Sequence, residues 1–156
     1  MRALLQRATR GEVRVGGTVV GSIGEGLVIL LGVGPDDTDL TAADLARRIA
    51  ELRIFRDDGG RTNRSLLDTG GSALIVSQFT LYADTRRGRR PGFTSAGPPE
   101  LAERLCRRFA GALETLGVTV ASGRFGAEMA VEIVNDGPFT IWLDTAGSEP
   151  PARAQT

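Results

Sequence analysis

Apolar residues recur along this chain in two rhythms. Short runs, RALLQRA at 2–8, EVRV at 12–15, TVVGSI at 18–23 and GLVILLGV at 26–33, have strand length, with Gly16, Gly17 and Gly24 as turn material between them. The polar cluster GPDDTD then introduces a helix at about 39–52. There Ala42, Leu45, Ile49 and Leu52 share one face, and Thr38, Asp39 and Thr41 are available as caps. RIF is a short strand ending at the loop signal DDGG, and ALIVSQFTLY at 73–82 is the longest strand candidate, expected at the centre of a sheet.

A second helix begins near Pro98 and Pro99, which suit a first turn. It carries Leu101, Leu105, Phe109, Ala112 and Leu116 on one face, and Gly117 is placed to stop it. Strands VTVAS, MAVEIV and FTIWLD follow. Between the last two lies NDGPFT at 135–140, whose Asn, Asp, Gly and Pro make an ordinary hairpin the simplest local reading. One detail resists it: a proline at the start of an interior strand is poorly placed unless it sits at an edge or a bulge. Many strands and two amphipathic helices, not in strict alternation, predict an α+β fold with a curled, largely antiparallel, barrel-like sheet. Without a repeat or linker to divide the chain, residues 1–145 are expected to form one domain, and the proline-rich, polar 146–156 a flexible tail.

Composition narrows the chemistry sharply. No apolar run approaches the ~18 residues that span a bilayer, and MRALLQRATRGE lacks the apolar core and cleavage site of a signal peptide, which points to a cytoplasmic protein. There is no histidine, and all 19 basic residues are arginine. Histidine general bases, Ser-His-Asp triads, His-ligated metals, Schiff bases and P-loop lysines are thereby excluded. The single cysteine, Cys106, cannot form an internal disulfide or a cysteine zinc cluster, and its context, LAERLCRRFAGAL, marks it as a helix residue without a catalytic role. Neither metal nor cofactor is expected. Any enzyme here works with hydroxyls, carboxylates, amides, arginine and its own backbone.

Net charge is zero, so no global field announces a nucleic-acid partner. Locally, TRRGRR at 85–90 sets Arg86, Arg87, Arg89 and Arg90 around a glycine. It is either a solvated loop or a phosphate contact, for which the planar guanidinium is well suited. Ser77-Gln78-Phe79-Thr80 interrupts an otherwise apolar strand. In a regular strand Ser77 and Phe79 would face one way and Gln78 and Thr80 the other, so cross-sheet hydrogen bonding is the simpler account of an isolated SQFT.

Taken together, MRALLQR, LRIF, SQFTLYAD, TRRGRRPGFT, FGAEM and NDGPFT, in this order and across nearly the whole chain, resemble the D-aminoacyl-tRNA deacylase family. SQFTL with its YADTR extension and the N-x-G-P-x-T element are the specific segments. The resemblance implies an enzyme, a homodimer with active sites at the subunit interface, that hydrolyses the ester joining a D-amino acid to the terminal adenosine of tRNA. It implies a cis Gly137-Pro138 bond inserted into the partner's active site, where the two carbonyls would meet the side chain of an L-amino acid and let a D-amino acid, or glycine, pass. Arg7 would hold that segment in orientation. Ser77, Gln78, Phe79 and Thr80 would form the catalytic site, with the Phe79 N–H as an oxyanion donor. Phe125 and Met129 would hold the terminal adenine, leaving the four loop arginines for the tRNA backbone.

Thr80 is the evident nucleophile, yet a threonine hydroxyl is weak without a base, and no histidine or lysine is present to supply one. Water attack assisted by the 2'-hydroxyl of the substrate's own ribose is therefore the expected route, with Thr80 positioning groups by hydrogen bonding. Three departures from the family pattern stand out: Gly92 where serine is common, Glu128 where aspartate is common, and the tail from Ala146. Two other functions fit parts of the sequence: a non-catalytic RNA-binding module gripping RNA through the arginine loop and Phe125, and a different small-molecule hydrolase on the same scaffold.

Overall fold

The computed structural model describes residues 1–147, so the expected tail lies, from residue 148 onward, outside the described residues. Among the described residues, eight strands, three α-helices and two 3-10 turns follow one another. Strand β1 (Arg2–Val15) leads through Gly16 and Gly17 into β2 (Thr18–Ile23), and β3 (Gly26–Gly32) follows. Helix α1 (Asp39–Glu51) precedes a small ribbon of β4 (Phe55–Arg56) and β5 (Thr62–Arg64), then a single helical turn, α2 (Leu66–Thr69). Strand β6 (Ser72–Ser77) runs into a 3-10 turn (Phe79–Tyr82), followed by α3 (Pro99–Thr115), β7 (Thr119–Ser122), β8 (Ala130–Asp144) and a 3-10 turn (Thr145–Gly147). None of the described helices is long and apolar enough to cross a membrane.

The fold is α+β with a barrel-like sheet that is mixed: three of its strand pairings are antiparallel, as expected of the larger part, and two are parallel. Strand β1 pairs antiparallel with β2, β3 and β8, whereas β3, β6 and β7 run parallel to one another. The reason is connectivity: α1 lies between β3 and β6, and α3 between β6 and β7, and parallel neighbours require such crossovers. The central strands are accordingly buried on both faces, which is why they read as unbroken apolar runs. Leu27, Ile29, Leu31, Ala73 and Ile75 face α1 and α3, meeting Leu45, Ile49, Leu105 and Phe109. Val28, Leu74 and Val76 face the inside of the curled sheet with Ala8, Val13 and Ile23.

Both helices begin as their caps dictate. Thr38 and Thr41 form a reciprocal capping box at α1, and Pro99 occupies the first turn of α3. In α3 the buried face runs through Leu105, Phe109, Ala112 and Leu113, and Leu116, expected on that face, is the exposed C-cap. The short helix α2, capped by a Ser65–Asp68 box, was not anticipated.

Three strand boundaries differ from expectation. The runs at 2–8 and 12–15 are one strand, because β3 takes over one edge of β1 up to Ala8 and β2 from Gly11 onward. ALIVSQFTLY is not one strand. Past Ser77 both neighbours give out: β3 pairs last at Leu31, and β7 pairs last opposite Ile75, so the chain turns. NDGPFT is not a hairpin either. AVEIV and FTIWLD both pair with β1 and belong to one strand that spans the whole element.

The sheet almost closes on itself where β2 meets β7. A Cβ placed on Gly21 would lie 2.6 Å from the backbone oxygen of Ser122, so only glycine permits this approach. Gly21→Ala should therefore destabilise the fold by about 1–3 kcal/mol, the usual cost of overpacking. The expected reading is a lower urea midpoint at an unchanged m-value, and an unaltered midpoint would mean that the seam yields freely.

Candidate active site

Backbone geometry at the end of β6 creates the first part of the site. The Gln78 N–H donates to Leu31 O at 2.8 Å as the last rung of the ladder. Leu81 N–H then donates to Gln78 O and Ala83 N–H to Thr80 O, closing the 3-10 turn. The first N–H groups of such a turn have no acceptor within it, so the Phe79 N–H is free of the turn's own bonding. The turn also cancels the strand alternation. Gln78 Nε2 donates to Thr80 Oγ1, joining to each other two side chains that were expected to share a strand face and hydrogen-bond across the sheet. Phe79 stands outward, 56% exposed, its ring edge-on to Phe93 with 5.0 Å between centroids.

Arg2 fastens the far end of this turn. Its Nη1 donates to Leu81 O at 2.9 Å, its Nε donates to Asp144 Oδ2 at 3.0 Å, and its guanidinium lies 4.4 Å from the centre of the Tyr82 ring. Burial, with the Asp37 and Asp144 carboxylates nearby, pushes the Tyr82 hydroxyl well above the ordinary phenol range. Tyr82 therefore stays protonated and offers no base.

Ser77, Gln78 and Phe79 line a cavity of about 560 Å³ together with Phe93, Cys106 and Phe125. Leu31, Gly97 and the first residues of α3 also line it. A cavity of this size with an apolar wall and a few polar atoms at one end has the character of a small-molecule site. Phe125 thus joins Ser77, Gln78 and Phe79, but neither Thr80 nor Met129 lines the cavity; Thr80 reaches it only through its bond with Gln78. The thioether packs against Gly123, where a Cβ would lie 2.6 Å from its sulfur, and on the inner core beside Val13. Sequence reasoning missed Phe93 and set Cys106 aside. Phe93 carried no signal of its own, whereas the helical spacing of Pro99, Ala102 and Cys106 could have placed Cys106 on one face of α3.

The second element is a bulge in β8. Ala8 pairs with Asn135 and Gln6 with Thr140, so two steps along β1 face five along β8. The surplus residues bow out over Arg7. Asn135 Nδ2 spans the base of the bulge, donating to Arg7 O at 2.9 Å and to Phe139 O at 3.0 Å. Arg7 is only 4% exposed. Its Nη1 donates to Ile54 O at 2.7 Å, and its guanidinium carbon lies 4.8 Å from the centre of the Phe139 ring. Its Nε is 3.0 Å from Asp136 Oδ2, an ion pair by distance, but the angle is too poor for a directed hydrogen bond. The Gly137-Pro138 bond at the crest is cis, and Gly137 has φ +120°, a conformation reserved for glycine. A Cβ there would also lie 2.8 Å from Arg7 Nη2.

Within one chain these two elements stay apart. Arg7 pairs with Leu27, and Leu31, which faces Ser77, is four residues further along β3, about 13 Å at the usual rise of a strand. β8 and β6 are also separated by β1 and β3. Gly137 and Pro138 do not line the cavity of Ser77 and Phe125.

The arginine loop is closed at its base by Asp84 and Gly92, which exchange backbone hydrogen bonds of 2.7 and 2.9 Å. Gly92 makes these bonds through its backbone. Arg86 donates through Nε and Nη2 to the two oxygens of Asp84, and these bonds hold the Asp84 carboxyl well below its ordinary range. Arg87, Arg89 and Arg90 have no ionic partner among the described residues. Among the described residues no cluster of three or more His, Cys, Asp or Glu could hold a metal ion.

A family model described as D-Tyr-tRNA(Tyr) deacylase matches residues 4–144. The D-aminoacyl-tRNA deacylase of Roseiflexus sp. (strain RS-1) is 62% identical over 146 residues, covering 94% of this chain and 94% of its own. That of Dinoroseobacter shibae (strain DSM 16493 / NCIMB 14021 / DFL 12) is 61% identical over 144 residues, covering 92% and 99%. Among solved structures, a c-Myc DNA unwinding element binding protein superposes with a TM-score of 0.87 at 39% identity, over 93% of this chain and 99% of the other. A probable eukaryotic D-amino acid tRNA deacylase superposes with a TM-score of 0.80 over 91% and 97%; at 21% identity that likeness speaks to the fold alone.

Cys106 faces the cavity, and its chemistry is testable. Burial, with the Glu103 carboxylate adding to it, pushes the thiol up to about 11. Both causes disfavour the thiolate, so at pH 8 roughly one molecule in a thousand carries it, about a hundredfold less than an ordinary cysteine thiol. Alkylation of the native protein should be correspondingly slow at pH 8 and rise steeply toward pH 11. A rate equal to that of free cysteine would mean that the thiol is neither buried nor shifted.

Proposed function

The chain belongs to the D-Tyr-tRNA(Tyr) deacylase family, and on that premise we propose that it hydrolyses the ester of D-aminoacyl-tRNA, releasing the free amino acid and tRNA, and that it rejects L-aminoacyl substrates. The observation that carries this reading is the cavity in which Ser77, Gln78 and Phe79 meet Phe125 without any general base. An aminoacyl ester suits such a site, because it needs little beyond an attacking oxygen and donors for the developing oxyanion. The Phe79 N–H is the oxyanion donor, and Phe125 takes the terminal adenine. Met129, set back beneath Gly123, supports that wall from behind.

Thr80 acts as a positioning group. Its oxygen accepts from Gln78 Nε2, which leaves its own proton to be donated outward. A hydroxyl held in that sense is a donor to substrate or water rather than a nucleophile. The 2'-hydroxyl of the terminal ribose assists the attacking water.

Chirality is read by Gly137 and Pro138 of a second copy of the chain. Within one chain the bulge is too far from SQFT, and β8 has β1 on one edge only, with Val134 and Trp142 nearly half exposed along it. An uncovered edge of this length favours a partner, and a homodimer that covers it carries Gly137-Pro138 toward the other subunit's cavity. Arg7 holds the crest from beneath. Selection by exclusion reads only the hand of the α-carbon, so glycyl-tRNA passes as well. Residues 1–145 act as one domain in this scheme, and Arg87, Arg89 and Arg90 contact the tRNA backbone, Arg86 being committed to Asp84.

One specific observation favours a second reading: the structural neighbour named for binding a DNA unwinding element points to a nucleic-acid-binding module without catalysis. Matched substrates separate the two. With D-tyrosyl-, L-tyrosyl- and glycyl-tRNA, the first and third should be cleaved at least about a hundredfold faster than the second, a ratio well within what steric exclusion achieves. Binding of all three without release of amino acid would establish the module instead.

The hydrolytic route makes its own prediction. Thr80→Ala should lower turnover about a hundredfold with substrate binding retained, as for loss of one positioned donor. A substrate ending in 2'-deoxyadenosine should lose about as much, by loss of an acid–base partner. A covalent ester trapped on Thr80, or full cleavage of the deoxy substrate, would refute the substrate-assisted route.

A further inference from the structure

The cavity of Phe79 and Phe125 does not end at Phe125. A second cavity of about 340 Å³ adjoins it, and the two share Ser77, Cys106 and Phe125. Their linings differ in kind. The first is walled by phenylalanine, proline and alanine, whereas the second adds Arg107 from α3, Ser122 from the end of β7, and Arg124, with Glu103 as the one carboxylate in its lining. Arg124 has no ionic partner among the described residues. Arg107 is paired with Glu103 at 2.7 Å, but this is an exposed pair one turn apart on a helix, and such pairs exchange readily.

The order of groups along this trench is informative: the Phe79 turn at one end, Phe125 in the shared middle, Arg124 and Arg107 at the other. An adenosine esterified on its ribose has the same order, with the ester on one side of the nucleoside and the 5' phosphate on the other. We propose that the basic compartment binds the phosphodiester on the 5' side of the substrate's terminal adenosine, with Arg124 as its principal ligand. The proposal deepens the deacylase reading of this site and rests on it.

The chemistry favours Arg124 for this task. A guanidinium offers two parallel N–H groups to a phosphate, and one without a competing carboxylate has no ion pair to break first. Ser122 adds a hydroxyl. Arg107 becomes a second ligand when the phosphate displaces Glu103. Because a phosphodiester is the same whatever the base before it, this contact would be independent of tRNA sequence. None of the loop arginines lines either cavity, and only Phe93, just beyond the loop's closure at Gly92, lines the first, so the basic compartment is a separate contact.

Two D-tyrosyl esters that differ only in the phosphate test the assignment: that of adenosine, and that of adenosine 5'-(methyl phosphate). The readout is the ratio of their kcat/KM values, which cancels any general loss in a variant. Wild type should favour the phosphate-bearing ester by about tenfold at low salt, the scale of a charge-assisted bidentate contact. Arg124→Gln should bring the ratio to within about twofold of unity, and Glu103→Gln should raise it by freeing Arg107. If neither small ester turns over, the inhibition constants of the two unesterified nucleosides against D-tyrosyl-tRNA give the same ratio. No preference for the phosphate in wild type, an unchanged ratio in Arg124→Gln, or a fall in Glu103→Gln overturns the proposal. Failure to cleave D-tyrosyl-tRNA in the parallel assay overturns the functional reading beneath it.

Discussion

Strand β1 has to satisfy three neighbours at once, and the placement of both functional elements follows from how it does so. Along one edge it pairs with β3 and then with β2; along the other it pairs with β8 throughout. The register with β3 fixes β6, and hence the point where the Phe79–Tyr82 turn begins. The register with β8 cannot be perfect, because five residues must be accommodated where β1 supplies two steps, and the excess has only one direction to go. Arg7, whose own side chain is buried beneath the excess, fills the space that the bow would otherwise leave empty. The ion pair to Asp136 and the hydrogen bond to Ile54 O make it a polar post inside an apolar shell. A buried guanidinium needs such partners, or its desolvation would go uncompensated.

This arrangement separates rigidity from chemistry. The bulge is held at its base by Asn135 and from beneath by Arg7, so its crest presents backbone atoms in one fixed pose. The turn at Phe79 is fixed by Arg2, which grips Leu81 O and lies against Tyr82 while pairing with Asp144 at the end of β8. Arg2 and Arg7 project from the same strand and hold the two elements independently. The proposed exclusion of L-aminoacyl substrates by the crest would need that stiffness, since a yielding crest would admit either hand.

How much of this was legible in the sequence depends on which interactions set each feature. The two long helices were visible because caps and apolar spacing are local, as at Thr38 and along Leu105 and Phe109. The parallel pairs were not foreseen, although a helix between β3 and β6 and another between β6 and β7 carried that information in the crossover rule. FTLY leaves the strand only because its neighbours end, a tertiary fact that a run of strand-forming residues cannot reveal. NDGPFT has the composition of a turn and remains strand because β1 lies beside both of its flanks. The objection raised by Pro138, that proline belongs at an edge or a bulge, was the one local signal that pointed the right way, and both conditions hold. Cys106 shows the opposite limit: its helix was legible, but which cavity that helix borders was not.

The cavity's ionisation state constrains what it can do. Cys106 is held protonated by burial, and Tyr82, the last residue of the turn, is held neutral by burial and two carboxylates. The hydroxyl of Thr80 is tied to an amide donor rather than to a base. Phe79, Phe93 and Phe125 in the cavity's lining lower the local dielectric and make a correctly aimed N–H group worth more than it would be in water. Groups of this kind can stabilise negative charge as it forms but cannot remove a proton to start it forming. A site built this way is suited to a substrate that is already activated and carries its own proton-relaying hydroxyl beside the scissile bond. The 3' aminoacyl ester of a ribose meets both conditions, and an amide or an isolated alkyl ester meets neither.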